Sequence, residues 1–118
     1  MSTSEIPGVN MDAGLDLYGG EMDIYMGALK SFAANTLSAL DKIRNVSEKR
    51  LPDYAIAVHG IKSISATIAA ENISERAKKL EAMAKNGDFS GVSAINAEFI
   101  KDTETLVSEI KKWLELNA

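Results

Sequence analysis

The chain has 118 residues, 46% of them hydrophobic and 25% charged, proportions of one ordinary globular domain over 1–118 and not of a disordered chain. Thirteen Lys plus Arg stand against 17 Asp plus Glu, a formal charge of −4, so no electrostatic footprint for nucleic acid or an anionic membrane is expected. The absence of cysteine excludes disulfide scaffolds, iron–sulfur sites and a thiolate nucleophile, and a single His excludes His-rich metal sites, leaving only a carboxylate-based one open.

Ile6-Pro7-Gly8-Val9-Asn10 reads as an extended lead-in, and a short helix is expected from about Met11 to Leu17. Gly19-Gly20 ends it, because glycine enters the left-handed conformation that closes helices. From about Glu21 to Val46, Met22, Tyr25, Met26, Leu29, Phe32, Ala33, Thr36, Leu37, Leu40 and Ile43 recur at three- and four-residue steps, the stripe of a long amphipathic helix. Leu51-Pro52 opens a third segment that runs to about Ala69, with proline in the first turn where its missing N–H costs nothing. A fourth spans about Glu71 to Lys85, with Ile73, Ala77, Leu80 and Ala84 inward and Asn86-Gly87 as its stop. The last runs from about Asp88 to Leu116; Asp88 or Ser90 caps it, and Val92, Ile95, Phe99, Leu106, Ile110, Trp113 and Leu114 supply its apolar face.

No period-two alternation or hairpin turn marks a strand, and no run approaches the roughly 20 apolar residues needed to cross a bilayer. The opening MSTSEIPGVN has neither a basic region nor an apolar run, so a secretory signal is not expected and a cytoplasmic location is. The starting Met and the short length fit a free-standing protein. Four sizeable amphipathic helices on short links favour an all-α, antiparallel, up-down-up-down four-helix bundle, with the short first helix as an addition.

The third helix carries the only imidazole. At about 100° per residue, Tyr54, Ala57, Ile61, Ile64 and Ile68 fall within roughly 40° of one direction, the expected core, and His59 falls roughly 180° away. Residues three and four apart are neighbours on a helix, so Lys62, Ser63 and Ala55 flank His59, with Ala66 and Ile56 on the same outer side and Gly60 flattening the surface. An imidazole is a competent nucleophile near neutral pH and can hold a phosphoryl group as phosphohistidine. Lys62, one turn away, offers a cation for the phosphoryl oxygens. The chain has no phosphate-cradling glycine loop and no nucleotide-binding pattern, so metal and remaining charge neutralisation would come from a partner.

Taken singly, each of these residues has an ordinary reading. A lone helical His is usually solvated, and Lys62, Ser63, Ala66 and Gly60 are common helix-surface residues. Glu71, Glu75, Glu81, Glu98 and Glu104 read as solvated faces, and Met22, Met26, Phe32 and Trp113 as core.

The string from His59 to Ala70, HGIKSISATIAA, resembles the signature of the histidine-containing phosphotransfer (HPt) domain: His, any residue, Leu or similar, Lys, Gly, then small and apolar residues ending near Gly-Ala. His59, Ile61, Lys62, Ser65, Ile68 and Ala70 match it. Ile6-Pro7-Gly8-Val9, Gly19-Gly20, Leu80-Glu81 and Gly87-Asp88 are similar to other family features, in the family's order, so the likeness covers nearly the whole chain. Ser63 and Ala69 stand where the family usually has glycine.

The resemblance implies a four-helix bundle that relays phosphoryl groups between receiver-domain aspartates. His59 is then the phosphoacceptor and Lys62 the neutralising cation, while Ala55, Ile56, Gly60, Ser63 and Ala66 form part of the docking face. The partners implied are response-regulator receiver domains, with a hybrid histidine kinase as a further partner and the chain acting as a monomer. No cofactor is expected, Mg²⁺ being supplied by the receiver, and no kinase machinery for ATP. Two alternatives stay open: the phosphoacceptor module of a chemotaxis-type kinase, and a helical binding adaptor that is never phosphorylated.

Overall fold

The computed structural model describes residues 5–117, so the first four residues of the opening decapeptide and the last residue lie outside the description. Among the described residues there are five α-helices and no strand: α1 (Met11–Leu17), α2 (Met22–Asp41), α3 (Leu51–Ala66), α4 (Glu71–Lys85) and α5 (Phe89–Asn117), with one 3₁₀ turn at Glu48–Arg50. The helices α2 to α5 pack in a closed ring: α3 lies against α2 and α4, and α5 completes it by touching both of these. α1 packs on α2, and the whole measures 49 × 24 × 19 Å.

The core of this ring is the set of stripes read from the sequence, with local differences. Tyr25, Leu29, Phe32 and Leu40 of α2 meet Val58 and Ile61 of α3, Ile73 and Leu80 of α4, and Val92, Phe99 and Ile110 of α5, all buried. Met22, expected inside, is 41% exposed, because it opens α2 before that helix has entered the ring. Leu37 and Ile95 likewise lie at the surface margin of their stripes. α2 is shorter than its periodicity predicts. Beyond Asp41 the chain tightens into i→i−3 bonds, Lys42 N–H to Ala39 O and Ile43 N–H to Leu40 O, and Ile43 is still carried into the core.

One buried set of polar groups is paired across helices, as desolvation favours, while the buried hydroxyls of Thr36 and Ser65 have no hydrogen-bond partner among the described residues. The Tyr54 hydroxyl donates to Asn96 Oδ1 at 2.7 Å, and Asn96 Nδ2 donates to the Ile43 carbonyl at 2.7 Å, joining α3, α5 and the end of α2. Burial pushes the Tyr54 phenol above its ordinary range.

Side-chain caps open the first and last helices, whereas α2, α3 and α4 begin without one. Asn10 Oδ1 accepts Ala13 N–H, and of the two candidates for the last helix it is Asp88 whose Oδ1 accepts Gly91 N–H. Three helices end in the same paired-bond motif with a left-handed residue. Gly20 N–H reaches Leu15 O beside Gly19 (φ 64°), and Asp88 N–H reaches Met83 O beside Gly87 (φ 73°). In the third, Ala70 N–H reaches Ser65 O beside Ala69 (φ 60°). This is why α3 stops short of the predicted Ala69: that residue belongs to the turn.

An alanine in a position built for glycine carries a steric cost between its Cβ and the carbonyl oxygen. Ala69→Gly is therefore expected to raise unfolding free energy by about 0.5–1 kcal/mol. Gly87→Ala, which meets nothing within 4 Å, should lower it by about 1 kcal/mol from backbone conformation alone. Urea titration of the two variants against the parent checks both signs.

Candidate functional site

α3 is wedged between α2 and α4, so its buried face is broad: Leu51, Tyr54, Ala55, Val58, Ile61 and Ser65. The expected core direction, drawn from the large branched residues alone, is rotated from this one. Ala57 and Ile64 are only half-buried, while Ala55 and Val58 are inside. His59 consequently stands at the seam with α4 and not diametrically opposite the core. Its side chain is 54% exposed, and Nδ1 lies 2.8 Å from Glu81 Oε2.

Glu81 corrects the sequence reading most sharply. Expected on a solvated face, it is 6% exposed. It lies four residues after Ala77 and three before Ala84, inside the stripe that α4 turns toward its neighbours, so the helix geometry buries it. A buried carboxylate must be compensated, and three donors do this. Lys62 Nζ lies 3.0 Å from Oε1, Lys85 Nζ 3.0 Å from Oε2, and the His59 ring completes the set. Lys62, then Lys85, and to a smaller extent His59 outweigh desolvation and pull the Glu81 carboxyl from its ordinary 4.5 down to about 2.

The chemical consequence falls on the imidazole. An ionised carboxylate has no proton to give, so His59 Nδ1–H donates and Glu81 Oε2 accepts. In the neutral ring the lone pair is then on Nε2, for which no hydrogen bond is present among the described residues. Fixing the tautomer through the far nitrogen is how proteins aim an imidazole. Lys62 is itself held: it is 28% exposed, and its backbone carbonyl accepts from Ser74 Oγ at 3.2 Å.

Around His59 the surface is small-featured. Gly60, Ser63, Ala66 and Ile56 are exposed, Ile56 to 74%. Ala55, expected to project, is buried and instead floors an open groove of about 510 Å³ with Pro52, Ile56, His59, Ala84 and Lys85. On the other flank of Ile56 lies a second groove of about 490 Å³, lined by Ala39, Ala57, Gly60 and Ile64 with Lys42 and Arg50 at its edge. Ile56 is thus an apolar ridge between two depressions. Ala66 is set apart, beside Ala13 and Leu17 of α1. A Cβ on Gly60 would meet nothing within 4 Å, so no internal packing requires the glycine there.

Lys85 escaped the sequence reading. Its signal is the i, i+4 spacing from Glu81, which becomes informative once Glu81 is placed inside the stripe. Among the described residues no group of three or more His, Cys, Asp or Glu is arranged to hold a metal ion, and no helix is long and apolar enough to cross a membrane. Comparisons with models of protein families, with curated proteins and with solved structures found no match.

The pairing of Glu81 makes stability depend on pH with a definite sign. Its folded-state pKa is depressed, so its contribution is fully present above about 4.5, the ordinary carboxylate value, and is lost as pH falls toward about 2. Urea midpoints measured from pH 6 to pH 2 should fall through this window. Glu81→Gln should flatten that part of the profile and lower stability at pH 7.

Proposed function

We propose that the chain is a histidine phosphotransfer protein of the HPt type, relaying phosphoryl groups between receiver-domain aspartates in a two-component phosphorelay. The observation that carries this reading is a half-exposed imidazole whose Nδ1 proton is engaged by an ionised, buried carboxylate, with Nε2 left as the nucleophile. The up-down-up-down bundle implied by the family is supported by opposing residue order across the ring. Tyr25, early in α2, bonds the carbonyl of Ile68 after α3, and His59 and Lys62 of α3 bond Glu81 and Ser74 of α4 in reverse sequence.

The transfer balances without any proton leaving the site. Nε2 attacks the phosphorus of a receiver's aspartyl phosphate, and the Nε2–P bond forms as the aspartyl O–P bond breaks. The bonding pair departs with the aspartate carboxylate. The ring, still holding its Nδ1 proton, becomes a phosphoimidazolium whose positive charge faces Glu81. Lys62 balances charge on the phosphoryl oxygens, and the reverse sequence with a second receiver discharges the ring. The Mg²⁺ that such chemistry uses belongs to the receiver in this scheme. The chain acts as a carrier and not as an enzyme, in the cytoplasm and as a monomer, with a hybrid histidine kinase as a possible upstream source.

The ridge of Ile56 and the open space over Gly60 suit a receiver that approaches closely, because an apolar knob between two grooves gives a docking register and a bare backbone gives proximity. Mid-helix glycine costs about 1 kcal/mol relative to alanine, and a docking role at Gly60 offsets that cost.

Incubation with ³²P-labelled receiver domains and Mg²⁺ should place acid-labile, alkali-stable label on the chain, and His59→Gln should abolish it. Label persisting in that variant, or no label on the parent from receivers that discharge onto other carriers, overturns the reading. Gly60→Arg should leave the urea midpoint equal or higher while slowing transfer from a receiver at least tenfold, the effect of steric exclusion at a cost of about 1.4 kcal/mol or more.

A further inference from the structure

Lys85 is a charged group beside His59 to which the phosphotransfer reading gives no task. Its ammonium binds the same Glu81 oxygen, Oε2, as the His59 ring, at 3.0 and 2.8 Å respectively. Ammonium and ring are therefore neighbours across a single atom, and both border the groove of about 510 Å³. Lys62 binds the other oxygen. The two lysines also differ in freedom: the Lys85 side chain is 65% exposed and that of Lys62 28%. Taking a cation from a buried carboxylate is costly while nothing replaces it, so Lys85 leaves Glu81 only when another positive charge takes its place there.

We infer that Lys85 is a second phosphoryl-binding cation, held on Glu81 while His59 is free and handed to the phosphoryl oxygens when His59 is charged. The inference rests on the phosphotransfer reading and adds to it the device that neutralises the product. Before transfer, Glu81 faces two ammoniums and a neutral ring. After transfer, the ring carries a positive charge on the side facing Glu81 and meets that carboxylate's need. Both ammoniums are then surplus at Glu81, and a phosphoryl group of about two negative charges has appeared on the same ring. Two cations match that charge; Lys62 alone leaves half of it uncompensated. Glu81 is in this scheme the counter-anion for whichever cation is not in use.

The test charges the chain with phosphoramidate, a small donor that phosphorylates imidazoles without a receiver, and follows the phosphohistidine ³¹P resonance against pH. A cation on the phosphoryl oxygens favours their doubly ionised form, so Lys85→Ala should raise the proton affinity of the group about two- to fivefold, a change in line with an exposed ion pair. Lys85→Arg should restore the parent value, and Lys62→Ala should act in the same direction as Lys85→Ala. A lysine that serves only to hold Glu81 in the uncharged protein would leave this titration where it is. An unchanged curve for Lys85→Ala in a chain that labels normally at His59 overturns this inference alone. A folded parent chain that takes no phosphate at His59 overturns both the inference and the reading beneath it.

Discussion

A single carboxylate, taken out of water between two helices, organises the surface around the one imidazole. Glu81 is tolerable in its position only because three donors reach it, two from α3 and one from its own helix. Of these donors, His59 and Lys62 bridge from α3 to α4 and so add to the apolar packing in setting the register of the two helices. Leucine and alanine contacts accept small sliding, but a carboxylate whose two oxygens have separate partners does not. The same bonds that stabilise the seam choose the tautomer of His59, so the fold and the chemistry are set by one group.

The ring of helices serves this seam in two ways. α2 and α5 complete the enclosure of the apolar faces, leaving the outer edge of α3 uncovered. The Tyr54–Asn96–Ile43 chain of hydrogen bonds then holds α3 at its first turns, where a rotation of the helix would carry His59 away from Glu81. Rigidity at the base and exposure at the edge together leave the imidazole fixed in direction and half-exposed.

The helices themselves were legible in the sequence because of their three-to-four periodicity, with glycine, proline or a capping side chain at many of their ends. Asn86-Gly87 and Gly19-Gly20 mark stops that the backbone uses, and α4 runs between its predicted limits. The face of α3 was less legible. A wheel weighted by large side chains ignores Ala55 and Val58, which are buried because α3 has a neighbour on each flank. Such flanking is a tertiary fact, and it turns His59 from the far side to the seam. Glu81 was missed because charge outweighed position: an acidic residue inside an apolar stripe reads as a solvated exception until its cations are seen to come from α3 and from the following turn. His59 and Lys62 are singled out in the sequence by their spacing, and the structure brings both to one carboxylate.

The beginning of the chain latches the far end of the imidazole-bearing helix. Three successive carbonyls there are taken by early residues: Thr67 O by the Tyr18 hydroxyl, Ile68 O by the Tyr25 hydroxyl, and Ala69 O by the Asn10 amide. These acceptors have no partner within their own helix, so the last turn of α3 depends on a segment some fifty residues earlier in the chain, as the 49-residue separation of Tyr18 and Thr67 illustrates. Loosening of that early segment would fray α3 from Ala69 backward while Glu81 continued to grip its middle. Amide exchange along this helix would then run in a gradient, quickest at its tail and slowest beside His59, so that breathing of the molecule is directed away from the imidazole and its carboxylate.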